Sequence, residues 1–465
     1  MKRTNTNKHL SLAEALGIGA AATLLGGAGA VWLGRYTIKK TVNDILKIFM
    51  TDKYDENLWE FVSAATRAGL QNIIENNLRS ERGKIIFRPL GTPKKFLHFD
   101  DLMFDIAQLN TMPTEANVKI ETKTVIGPMA KKPLVLDIPI MVSGMAHGTA
   151  LSEKVKIAIA KGTAMIGTAT NTGEGGMLPS ERKVARYLVL QFPRAKWVRD
   201  EKTLKQADMI EIQFGQGAQA GTSHSKTKLG KKARQIRGLK KGETAVIEAR
   251  LPEMKQGYSL KQIVNRLREI TGGVPIGVKF GCGKYLEKDM EIALKAEVDV
   301  IALDGAQAAT KGAPPIIEDD FGLPTLHALC RAVRFLEKEG VRDKVSLIIS
   351  GGLLNPGHFL KAIALGANAI SIGTTILFAV AHKQVLQAMP FETPTQITWD
   401  DGKFSKQFNI NKGAQTVYNF LQSSILEMED GVRALGKTSI WDVTKDDLMA
   451  LTPEVAQITG VDLAY

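Results

Sequence analysis

Two residues stand out as able to do chemistry. Glu174 sits among glycines in "GTATNTGEGG" (167–176), and Lys279 interrupts the apolar run "VPIGVKFG" (274–281). A lysine inside a strand must point at something polar; the plainer reading is a strand end whose ammonium reaches solvent. Asp304 closes "VIALDG", with Lys311 in the small-residue loop after it, and suits a hydroxyl, an amine or the cap of the next loop. Ser350-Gly351-Gly352 and Gly373-Thr374 end two later apolar runs. Bare backbone N–H groups there can approach an anion such as phosphate, or serve as tight turns only. Cys282 has no base beside it in sequence, which favours packing over nucleophilic use. His147 and His224 could carry protons, but each stands alone.

The elements that must hold these residues read as alternating strands and helices. Short, nearly continuous apolar runs predict strands near 138–143, 163–168, 194–198, 209–214, 274–280, 298–303, 345–350 and 369–373, as expected for strands buried on both faces. Between several of them lie helical patterns such as "YSLKQIVNRLREI", "EKDMEIALKAE" and "LHALCRAVRFLEKEG". Eight such units predict an α/β fold, a (β/α)8 TIM barrel over residues 116–385. The polar and glycine-rich segments all follow strands, so they gather at the barrel mouth. There, one role for Lys279 is to stabilise the reduced, anionic edge of a flavin. Amphipathic helices predict a lead-in segment over 41–115, and 386–465 reads as a helical tail.

Composition allows this. The chain has 465 residues, 44% hydrophobic and 23% charged, enough for a large core. Its two cysteines, Cys282 and Cys330, have no spacing that holds an iron–sulfur cluster, so none is expected. The net charge is +13, but basic residues are not interleaved with aromatics, so no nucleic acid is expected. Eight Lys/Arg and no acid fall between Ser223 and Gly242, a solvated face or an anion contact.

Residues 15–33, "ALGIGAAATLLGGAGAVWL", carry no charge and span about 28 Å as a helix. They predict a membrane anchor within residues 1–40, with Trp32 and Tyr36 at the interface and the barrel on the cytoplasmic side. Gly17, Gly19 and Ala22 also spell GxGxxA, but no strand precedes them, so a dinucleotide fingerprint is rejected. The alternatives are a cleaved signal peptide and a buried or surface-lying helix.

"PIMVSGMAHGTALS" (139–152), "NTGEGG" (171–176), "IEIQFGQGAQAG" (210–221) and "ARQIRG" (233–238) resemble the FMN-binding domain of glutamate synthases, in particular its short stand-alone members. "VPIGVKFG", "VIALDGAQAATKGAPP", "IISGG" and "LGANAISIGTTILFA" continue the likeness in order over roughly 113–385. The resemblance implies a barrel with FMN at its mouth. Met141, Val142 and Ser143 would pass the ring, Lys279 would face its pyrimidine edge, and Gly351, Gly352, Gly373 and Thr374 would hold the phosphate. Thr170, Asn171, Gln213 and Asp304 are also placed on the cofactor, with Glu174 and Lys279 as catalytic residues. On this reading, glycine lets the loop approach a flat ring while Glu174 bonds an amino or imino nitrogen. The implied activity is FMN-dependent oxidoreduction of a small amino, imino or keto acid, with a separate, unidentified electron donor or acceptor. The alternative is a non-catalytic or regulatory flavin-binding barrel. Gln213 and Gln219 stand where the family pattern has lysine, and "TSHSKTK" replaces a glycine-rich stretch.

Overall fold

The computed structural model describes residues 12–56, 59–226 and 228–465, with side chains from residue 29 onward. The chain divides into two compact units, Met1–Ile86 and Phe87–Tyr465. The helical lead-in is thus shared between them, and the C-terminal helices belong with the barrel.

The first unit contains helices α1 (Leu12–Thr51), α2 (Trp59–Ala68) and α3 (Leu70–Arg82). Among the described residues no helix is long and apolar enough to cross a membrane, which overturns the anchor expected at 15–33 and the membrane location drawn from it. That stretch belongs to a 40-residue helix that continues through Arg35, Lys39, Lys40, Asp44 and Lys47. The side chains of 15–28 lie outside the described residues.

In the second unit eight parallel strands follow one another around a barrel: β1 (Ile140–Val142), β2 (Ala169–Asn171), β3 (Tyr187–Phe192), β4 (Met209–Gln213), β5 (Ile276–Gly281), β6 (Val300–Asp304), β7 (Ser346–Ser350) and β8 (Ala369–Ile372). Each pairs with the next from β2 to β8, and β8 pairs back to β1 with Ser371 opposite Met141. No ladder joins β1 to β2. That seam is held by Thr168, whose hydroxyl donates to the Ile140 carbonyl at 2.6 Å, and by the Asp137 N–H donating to the Gly167 carbonyl at 2.9 Å.

Most of the predicted strands fall where expected, but two runs do not. Residues 163–166 finish helix α4 (Glu153–Ile166), which Gly167 stops at φ +76°, and the strand begins only at Ala169. "RAKWV" (194–198) is a loop; the strand is "YLVLQF" just before it, closed by Pro193.

Because side chains alternate along a strand, each one sends apolar residues outward to the helices and a second set inward. Ile210 and Ile212 face out, whereas Met209, Val300, Ala302, Ile348 and Ala369 fill the interior with Met141, Ala169 and Val189. A hairpin, Thr124–Ile126 with Leu134–Leu136, adds Ile126, Leu134 and Leu136 to that inner cluster, and the Gly127 N–H donates to Ser346 at the start of β7. It therefore plugs the N-terminal end, and the site must lie at the other.

The outer layer includes α5 (Pro179–Val184), α6 (Leu260–Thr271), α7 (Leu286–Lys295), α8 (Thr325–Lys338), α9 (Pro356–Ala364), α10 (Thr374–Ala381) and α11 (Ile410–Ala434). Helix α11, read from sequence as a tail, lies directly on α4. A Cβ on Gly162 of α4 would sit 2.6 Å from the Val417 side chain and 2.8 Å from the Ala414 carbonyl. Neither can yield without separating the helices. We expect Gly162→Ala to cost about 1–3 kcal/mol, seen as a lower urea midpoint, with the bound-ligand spectrum unchanged.

Candidate active site

The upper ends of the inward-facing positions are polar. Ser143, Asn171, Gln191, Glu211, Gln213, Lys279, Asp304, Ser350 and Ser371 come from all eight strands or the residue just after them. Six of them, Asn171, Glu211, Lys279, Asp304, Ser350 and Ser371, line a cavity that reaches down to the inner residues Met209 and Ala302. Lys279 and Asp304 are 3% and 7% exposed. Lys279 Nζ lies 3.2 Å from Asp304 Oδ1, which also accepts from the Ser350 hydroxyl, while Asp304 Oδ2 accepts from the Gly217 N–H at 2.7 Å. Burial opposes the charge on Lys279, but Asp304 and Glu211 more than offset it and hold its proton affinity above the ordinary lysine value. Asp304 thus caps the 217 loop and anchors the lysine at once.

Glu211 joins the other half of the ring. Its Oε1 accepts from Asn171 Nδ2 at 3.0 Å and Gln191 Nε2 at 2.9 Å. Sequence reading passed over both Glu211 and Gln191. Their signal was the period-two alternation in "MIEIQ" and "YLVLQF", which points them inward beside Met209 and Val189. The same alternation turns Thr170 outward: its hydroxyl faces Glu181, part of a buried pair with Lys156 (Nζ–Oε1 2.9 Å). Thr170 is therefore away from the mouth, although Lys156 supports the site by donating to the Asn171 carbonyl at 2.6 Å.

Glu174 lies on the loop after β2, buried, with both carboxylate oxygens engaged. Oε2 accepts from Gln213 Nε2 at 2.9 Å, and Oε1 meets His224 Nε2 at 2.8 Å. Trp197 Nε1 donates to the Glu174 carbonyl at 2.7 Å. Burial disfavours the carboxylate, yet His224 and Gln213 bring its pKa below the usual glutamate value. The glycines around it serve this loop's own packing. Gly173 has φ +63°, and a Cβ there would come within 2.6 Å of the Met145–Ala146 backbone. The loop is pressed against residues 145–147, a closer reason for its glycines than approach to a ring.

Two buried arginines complete the surroundings. Arg194 donates to the Gly221 and Thr222 carbonyls, and Arg237 donates to the carbonyls of Ala233 and His147. Among the described residues neither has a carboxylate within ion-pair distance, and each leaves Nε buried without a partner. Burial brings Arg237 down to about 10 and His147 to about 4, so His147 is neutral at pH 7. Both cysteines are buried thiols. Cys330 is pushed up to about 12 and Cys282 also upward, which makes neither a nucleophile at neutral pH.

The predicted phosphate residues lie at the ends of β7 and β8. Beside Gly351 and Gly352 the space is taken by Thr325, Gln307 and His98. At Gly373, which precedes α10, a Cβ would meet only Ser143, at 3.8 Å. Ser143 and Ser371 bond each other at 2.9 Å next to it.

Residues 94–438 match the family described as the conserved region in glutamate synthase. A glutamate synthase large subunit-like protein of Rhizobium meliloti (strain 1021) is 34% identical over 398 residues, 81% of this chain and 90% of its own. An archaeal-type glutamate synthase (NADPH) of Dehalococcoides mccartyi is 29% identical over 410 residues, 83% of this chain and 82% of its own. Among solved structures, a flavocytochrome b2 mutant aligns with a TM-score of 0.49 at 16% identity, over 79% of either chain.

Proposed function

Because the chain belongs to the glutamate synthase family, we propose that the polar ring at the barrel mouth holds FMN and that Glu174 works beside it on a small amino, imino or keto acid. The protein is an FMN-dependent oxidoreductase of the glutamate synthase type. One observation carries the placement: Lys279, fully enclosed and charged, points inward at the strand ends with Gln213 and Ala302 as its register neighbours.

The residues present fit the cofactor. Lys279 supplies a fixed cation for the pyrimidine edge. The carbonyl oxygens of Gln191 and Gln213 are buried and unpartnered, as acceptors for a ring N–H would be. The open side of Gly373, at the head of α10, admits a phosphate to backbone N–H groups. Bound there, FMN supplies two-electron redox chemistry. The chain's own part is electrostatic and positional. Lys279 favours negative charge on the ring edge. Glu174 holds or accepts a proton at its carboxylate. Arg194 and Arg237, buried without carboxylate partners, favour a substrate that brings one. The electron donor or acceptor is a separate partner in this reading.

The test is direct. Purified protein should show the two visible absorption bands of an oxidised flavin, and FMN should be released on denaturation. Protein that lacks FMN and does not take it up would overturn the assignment.

A further inference from the structure

Among the described residues Glu174 Oε1 bonds His224 Nε2, and that partner comes from outside the barrel. His224 opens a two-stranded hairpin, His224–Lys226 with Ala245–Ile247. The turn before it is fixed by Arg194, whose guanidinium takes the Gly221 and Thr222 carbonyls, while Trp197 from the same loop as Arg194 takes the Glu174 carbonyl. One loop, 193–199, therefore holds both ends of the Glu174–His224 contact. The charged groups facing the pair are Arg194 from that loop and Arg237 from the segment that connects the two strands of the hairpin; Gln213 from β4 is neutral.

We infer that His224 is a positioning residue for the reaction: its Nε2–H keeps Glu174 a carboxylate in a buried, cation-lined site, so the two side chains act as one proton-holding unit. This rests on the functional reading above and adds to it the group that sets the working protonation state. Geometry makes the coupling strong, since Glu174 is buried and the contact is short. The signs follow. Burial alone would lower His224, but Glu174 raises it above 6.5; Glu174 itself is lowered beneath 4.5. The ion pair exists between these limits. It is lost as pH rises through the His224 value and as pH falls through the Glu174 value.

The experiment compares holoenzyme turnover against pH for wild type, His224→Lys and His224→Gln, with the flavin spectrum recorded at each pH. Wild type should lose activity on an alkaline limb above pH 6.5. His224→Lys should move that limb up by about two units or more, since a lysine titrates near 10.4. His224→Gln should show no such limb, its turnover staying low on the alkaline side because it has no imidazolium to lose. Its acid limb should move toward neutrality, because burial of Glu174 is then opposed by fewer groups. Alkaline limbs that coincide in all three proteins, with flavin retained, would overturn the proposal. A second arm needs no turnover: the His224 imidazole is titrated by NMR in wild type and Glu174→Gln. Its midpoint should fall below 6.5 in the variant, and an unmoved midpoint overturns the coupling. This arm decides the pair whether or not flavin is bound, so failure of the FMN reading is told apart.

Discussion

Lys279→Met is expected to leave the protein without bound flavin or, where flavin is retained, with turnover reduced at least about 100-fold. Methionine keeps the length and most of the volume of lysine, so the change removes charge rather than packing. Two consequences follow from the geometry. The cofactor edge loses the cation that favours negative charge on it. Asp304, buried and 3.2 Å from the missing ammonium, keeps only the Ser350 hydroxyl and the Gly217 N–H. Removing one partner of a buried pair costs about 3–5 kcal/mol, so the urea midpoint should fall as well. Flavin occupancy by absorbance, turnover, and unfolding together check this. A variant with full flavin and full turnover would remove Lys279 from the site.

Glu174→Gln should separate the two functions of the mouth. We expect flavin binding to persist and turnover to drop about 100- to 10,000-fold, the usual contribution of a positioned acid or base. Glutamine is isosteric, and its carbonyl oxygen still accepts from Gln213 or His224, so the loop keeps its shape. The carboxylate also contributes stability with a definite sign. Its folded pKa is lowered, so that stability is present above pH 4.5 and lost as pH falls through the folded value. The variant should lose this acid-side dependence. A Glu174→Gln protein with normal turnover would leave Glu174 a structural role only.

How much of this could be read from the chain alone depended on the distance over which the signal acts. Alternating apolar runs and the glycines after them are local, and they gave the barrel and its active end. The two misplaced strands were local errors of a specific kind. "TAMIGT" continues the buried face of α4 until Gly167 stops it, and the buried Arg194 and Trp197 made a loop look like a strand. Lys279 and Asp304 were legible because a charge inside or closing an apolar strand has few places to go. The Glu174–His224 contact was not legible, because the two are 50 positions apart and His224 belongs to a separate hairpin outside the barrel. Glu211 and Gln191 could have been found by applying period two to their strands. The N-terminal anchor expected at 15–33 finds no span among the described residues long and apolar enough to support it.

A barrel whose ladders run unbroken about the axis is a hoop, in which no strand shifts without straining both neighbours. Here the hoop is split between β1 and β2, and the split is pinned near its foot by Thr168 and Gly167. Above the pins stand the segments 143–147 and 172–176, pressed together through Gly173. Prising these apart to admit a guest disrupts side-chain and loop contacts while leaving every strand ladder intact, so the rim has a built-in place to give.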